Sequence, residues 1–180
     1  SGRPEFPAFP FPHVLTVSVQ LLDSTVRIST SVRPTSDAEV PVAFGWHPYF
    51  APPGGDRQDW TVCKPFTHHL VLDERCVPTG EVDRVPVEVD VLGDPSQGGV
   101  VFDDLFDEVP VGTTAWIEGG QHRITLSYDE GYSYAVLFAP PDQPLVAIEP
   151  MTAPTDPLSG HFPITTAKPG ESYSATYGIH

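Results

Sequence analysis

From residue 14 onward, apolar and polar side chains alternate with a period of two. Val14-Leu-Thr-Val-Ser-Val-Gln-Leu-Leu22 and Thr25-Val-Arg-Ile-Ser-Thr-Ser-Val32 flank Asp23-Ser24. That pattern predicts a β-hairpin with a two-residue turn, each strand burying one face. Residues 40–46 read as a further strand running into His47-Pro-Tyr-Phe50, and a Pro-Pro-Gly-Gly turn follows. Extended segments are predicted at 60–63, 68–72, 113–117, 123–128, 134–138, 145–148 and 173–179, which brings the total to about ten strands. Residues 92–111 lack a clear period and read as a long irregular segment, a kind that is uncommon in compact domains and often functional. With no internal repeat and no amphipathic helix, the pattern predicts an all-β fold, a large antiparallel β-sandwich.

Composition narrows this further. Proline (22) and glycine (15) make up about a fifth of the 180 residues, against about 12% on average, and neither is tolerated inside helices. A hydrophobic content of 39%, with 11% aromatic, excludes a disordered polymer. Four prolines in residues 3–12 forbid helix and central strand. Residues 1–12, opening on Ser1-Gly2 as a tag-cleavage remnant, therefore read as an extended lead-in to a domain at 13–180.

Nine Lys and Arg against 24 Asp and Glu give a net charge of −15. Such a field repels phosphate backbones and anionic membranes, so neither nucleic acid nor membrane is expected as a partner. No apolar run approaches the roughly 20 residues of a membrane helix. Cys63 and Cys76 form no CxxC and no zinc-like spacing with histidine. They are expected as reduced thiols in a cytoplasmic protein, the alternative being one disulfide in an exported chain. GxSxG, GxxxxGK[ST], HExxH and GxGxxG motifs are absent, which removes nucleophile-elbow, P-loop, zincin and Rossmann chemistry.

Three places could carry chemistry. His47 ends an apolar strand between Trp46 and Pro48, with Tyr49 and Phe50 beyond; burial and a neighbouring carboxylate push an imidazole in opposite directions and can set it to work near neutral pH. A strand-end histidine can equally be structural. Glu149 lies where the apolar segment Leu145-Val-Ala-Ile148 opens into Pro150-Met-Thr-Ala-Pro154, a position for a salt-bridged carboxylate or for a base of raised pKa. Asp103-Asp104, inside the long segment, could accept hydrogen bonds from hydroxyls, bind a cation, or sit in a solvated turn. The remaining histidines (His13, His68, His69, His122, His161, His180) have ordinary strand or turn settings. Trp46, Tyr49 and other aromatics suit stacking on a sugar ring, and core packing equally well.

Phe44-Gly-Trp-His-Pro-Tyr-Phe50, Phe102-Asp-Asp-Leu-Phe106 and Ile148-Glu-Pro-Met-Thr-Ala-Pro154, in this order and after Phe9-Pro-Phe-Pro-His13, resemble the aldose 1-epimerase (galactose mutarotase) family. The resemblance spans about residues 5–179, the aspartate loop being its least specific part. It implies a galactose mutarotase-like supersandwich and interconversion of the α and β anomers of a free aldose, of glucose or galactose type, without a cofactor. It also implies His47 as general acid, Glu149 as general base, and Asp103, Trp46 and Tyr49 as substrate contacts. Family members are longer at the N-terminus, where an arginine and another histidine meet the sugar. The chain is therefore expected to be N-terminally incomplete, its sandwich finished by a missing segment or a second chain, with apolar faces left open to association. A hexose-6-phosphate epimerase and a non-catalytic carbohydrate-binding module are the alternatives.

Overall fold

A computed structural model describes residues 9–159 and 162–180. Most of the predicted lead-in, including Ser1-Gly2, lies outside the described residues, as does His161. The described residues form fifteen strands and three short 3-10 turns.

The hairpin is β1 (His13–Leu22) and β2 (Thr25–Pro34), in register from His13↔Pro34 to Leu22↔Thr25. Asp23 takes the left-handed conformation the tight turn demands (φ 52°). These strands open a seven-stranded sheet in the order β1-β2-β15-β11-β10-β5-β8. Its other members are β5 (Thr61–Lys64), β8 (Glu88–Val91), β10 (Thr114–Gly119), β11 (His122–Glu130) and β15 (Tyr173–Ile179). A six-stranded sheet runs β4-β13-β12-β9-β6-β7. It comprises β4 (Tyr49–Phe50), β6 (His68–Leu72), β7 (Pro78–Arg84), β9 (Phe102–Phe106), β12 (Tyr134–Ala139) and β13 (Val146–Met151). A two-stranded sheet joins β3 (Val40–Val42) to β14 (Thr165–Ala167). Neighbouring strands pair antiparallel throughout.

The two large sheets share one core. Val62, Ile117, Leu126, Tyr128 and Tyr177 from the first meet Phe50, Phe102, Phe106, Leu137 and Ile148 from the second. The six-stranded sheet is also apolar on its far side, where Leu70, Leu105 and Val136 cluster with Leu72, Tyr134, Phe138 and Met151. Strand β12 therefore points Ala135 and Leu137 into the sandwich and Val136 and Phe138 out of its back.

That double coverage is why several expectations needed correction. Residues 92–111 are not an irregular loop, because β9 lies inside them, paired on both sides by β12 and β6. A strand with both faces covered loses the two-residue period, and the adjacent acids Asp103-Asp104 hide it further. Residues 40–46 are not one strand either: β3 stops at Val42, and Gly45 makes an isolated bridge to Met151.

The hairpin itself departs from the expectation that both strands bury a face. Leu15, Val17, Val19 and Leu21 pair with Val32, Thr30, Ile28 and Val26 on the core-facing side of the sheet. Yet they are 45–76% exposed, since among the described residues nothing covers that side at this edge. Among the described residues no helix is long and apolar enough to cross a membrane, and both cysteines are free thiols.

An open apolar row of this kind is a dye-binding surface. Replacing Val17 and Val19 together by threonine should lower the fluorescence of bound 8-anilinonaphthalene-1-sulfonate. Each exposed position should change unfolding stability by no more than about 0.5 kcal/mol in urea titrations.

Candidate functional site

His47 and Glu149 meet because two motif segments lie side by side. Residues 44–46 run antiparallel to residues 150–152: the Trp46 N–H donates to the Pro150 carbonyl at 3.1 Å, and the Thr152 N–H donates to the Phe44 carbonyl at 2.9 Å. The Thr152 hydroxyl adds two contacts, accepting from the Phe44 N–H and donating to the Phe44 carbonyl, both at 2.9 Å. Gly45 makes this closeness possible, since a Cβ there would stand 2.8 Å from Met151 Cγ and 3.1 Å from the Pro150 carbonyl.

Alternation along this extended segment separates the next two side chains. The Trp46 indole donates its Nε1–H to Thr30 Oγ1 at 3.1 Å and packs near Tyr177, toward the seven-stranded sheet. Trp46 does not appear among the described residues that line the cavity beside His47 and Glu149. His47 turns the other way, and its Nε2 lies 3.0 Å from Glu149 Oε1. Glu149 sits within β13 rather than after it, opposite Val136, on the outer face of the six-stranded sheet.

The two groups differ in setting. The Glu149 side chain is 11% exposed and that of His47 48%. Burial, and then the charge of Asp103, push the Glu149 carboxyl from 4.5 up to about 7. The His47 ring lies against Tyr49 (centroids 4.5 Å apart, 36° between planes), with Phe138 at 6.2 Å and 75°.

Around this pair is a cavity of about 280 Å³. Its floor is apolar (Leu72, Leu105, Val136 and Phe138) and its walls are polar (Asp103, Asp104, Cys76 and Thr155 besides the pair), with no lysine or arginine among the described residues. Asp103 comes from β9, opposite Phe138, so it reaches the site from a central strand and not from a loop. Asp104 is held by His69, Nε2 to Oδ1 at 3.1 Å. Cys76, Leu72, Phe138 and Thr155 carried no signal in the sequence. The Cys76 thiol donates to Asp103 Oδ2 at 3.8 Å, and its carbonyl accepts from the Thr155 hydroxyl at 3.0 Å.

Among the described residues, no group of three or more His, Cys, Asp or Glu could hold a metal ion. His68 is a buried structural histidine between Asp107 (3.4 Å) and Glu108 (3.0 Å), remote from the cavity's lining. Chemically, a carboxyl that is half ionised near neutral pH and hydrogen-bonded to an imidazole can accept a proton and return it. A floor of this kind suits the C–H face of a small polyhydroxylated ring, and the acidic walls suit its hydroxyls.

The fold is thus an antiparallel β-sandwich with an imidazole–carboxyl pair beside one cavity. The chain belongs to the aldose 1-epimerase family, whose model matches residues 2–180. In structure it is similar to a galactose mutarotase-like protein from Clostridium acetobutylicum, with 23% identity and a TM-score of 0.80 over 99% of this chain and 58% of that one. An aldose epimerase homologue from C. elegans is 17% identical with a TM-score of 0.76 (95% and 60%). Galactose 1-epimerase from Lactobacillus acidophilus is 16% identical with a TM-score of 0.71 (95% and 57%). The chain thus spans less than two thirds of each of these proteins. No curated protein sequence matches it.

The raised Glu149 carboxyl has a consequence for stability. The folded state holds this proton up to about pH 7, whereas the unfolded chain releases it near its ordinary value, so stability falls as pH rises across that interval. Glu149→Gln removes this contribution. Relative to wild type at pH 4.5, the variant should gain about 2–3 kcal/mol by pH 8, read from urea midpoints.

Proposed function

We propose that this chain carries the acid–base centre of a mutarotase acting on a free aldose, with Glu149 as general base and His47 as general acid. The single observation supporting this is the 3.0 Å contact of His47 Nε2 with Glu149 Oε1 at the wall of a cavity large enough for one monosaccharide.

Ionised Glu149 takes the proton of the anomeric hydroxyl while protonated His47 gives its Nε2 proton to the ring oxygen. The C1–O5 bond breaks, leaving an aldehyde at C1 and a hydroxyl at O5. Rotation about C1–C2 turns the other face of the carbonyl toward that hydroxyl. The ring then closes with the two proton transfers reversed, so no proton is gained or lost overall. Asp103 accepts hydrogen bonds from sugar hydroxyls, and the shared apolar floor supports the ring.

The environments fit these roles. Burial and the nearby Asp103 make Glu149 basic enough to hold a proton near neutral pH. The His47 imidazole is the more exposed of the two groups. The absence of lysine and arginine from the lining favours neutral sugars over hexose 6-phosphates, whose dianion calls for a cation.

Polarimetry of freshly dissolved α-glucose and α-galactose tests the reading. Wild type should speed the approach to equilibrium, and Glu149→Gln and His47→Asn should each slow the catalysed rate by at least about 100-fold. The apolar floor and acidic walls of the cavity also fit a second reading, a non-catalytic carbohydrate-binding module. Saturable monosaccharide binding by calorimetry without rate enhancement decides for that module.

A further inference from the structure

We propose that Tyr49 is a positioning residue that holds the His47 imidazole in line during the reaction and is not a contact for the sugar; this rests on His47 being the acid of the proposed site. The His47 side chain is half exposed (48%). Among the described residues its hydrogen-bonding neighbours, Glu149 Oε1 at 3.0 Å and the Tyr49 hydroxyl at 3.4 Å, both address Nε2. An acid–base imidazole is ordinarily oriented through its second nitrogen. Here the orientation comes from the ring face and from a second partner on the working nitrogen itself.

Tyr49 is well placed for this. In β4 it pairs with Ala147, two residues before Glu149 on β13, and the adjoining Phe50 pairs with Val146 and is buried in the core. One strand therefore fixes both the base and the ring that supports the acid. Tyr49 is itself 54% exposed, so core burial does not account for a large aromatic there, whereas its 4.5 Å stack on His47 does.

The hydroxyl has a separate role. Nε2 faces Glu149. Once a sugar hydroxyl occupies the carboxylate, that contact is lost, and the Tyr49 oxygen remains to keep the imidazole from swinging into solvent until the ring oxygen arrives.

Tyr49→Phe keeps the stack and removes the hydroxyl; Tyr49→Ala removes both. With mutarotation followed by polarimetry, Tyr49→Phe should lower kcat about 2- to 10-fold. Tyr49→Ala should lower it about 100-fold, and KM should stay within about twofold for both if the loss is of alignment and not of binding. Nitrogen-15 spectra of the sugar-free protein should show the His47 ring resonances moving in both variants, most in Tyr49→Ala. A rise in KM at constant kcat, or unmoved His47 resonances, overturns the proposal. If wild type proves inactive, the acid–base reading fails by polarimetry while the spectra still decide whether Tyr49 holds the imidazole.

Discussion

The site depends on a short stretch of backbone pairing in which residues 44–46 lie against residues 150–152, tied by Thr152 and by the bridge from Gly45 to Met151. The two segments are more than a hundred positions apart, and nothing local would bring an imidazole and a carboxyl together. The pairing sets the spacing through backbone hydrogen bonds, which are directional and hard to deform. It is close enough to require glycine, and Trp46 locks it from the opposite side by donating to Thr30. A larger residue at 45 would separate the strands and draw His47 away from Glu149 without touching either side chain.

Around that pairing the protein places its imidazole–carboxyl pair where two environments meet. The six-stranded sheet is apolar on both faces, so a carboxylate emerging from its back at β13 is buried although it belongs to no sandwich interior. Loss of hydration raises its proton affinity, and the negative charge of Asp103 raises it further. In a chain of net charge −15 most carboxylates lower their energy by staying in water. Glu149 cannot do so, and that cost produces a group able to exchange protons near neutral pH.

The same architecture leaves the opposite edge open. On the seven-stranded sheet, the core-facing row of β1 continues the pattern of β2 but meets no second layer among the described residues. Solved members of similar structure are covered over 57–60% of their length. Among the described residues the cavity is lined from β6, β9, β12 and β13, with His47, Cys76 and Thr155 from the adjoining segments.

Much of this was legible in the sequence. Period-two alternation gave the hairpin, β11 and β15 closely, and the short apolar run at 134–138 gave β12. The segment Glu81-Val-Asp-Arg-Val-Pro-Val-Glu-Val-Asp-Val91 alternates as well, so β7 and β8 were readable, though Pro86 disguised them. Strand β9 was not, since burial on both faces erases the period. His47, Glu149, Asp103 and Trp46 could be named as candidates from their motifs, but a motif does not say to which side an extended residue turns.

Local side-chain chemistry, then, determined by itself that this chain makes antiparallel sheet, which residues can exchange a proton, and which cations are too few to bind a phosphate. Only the tertiary structure decided that His47 and Glu149 touch, that Trp46 faces away while Tyr49 stacks on the imidazole, and that Cys76 and Phe138 complete the wall. Those outcomes depend on register between distant strands. Register is fixed by the sum of many backbone hydrogen bonds and packed side chains across the sheet, and no short run of sequence carries that sum.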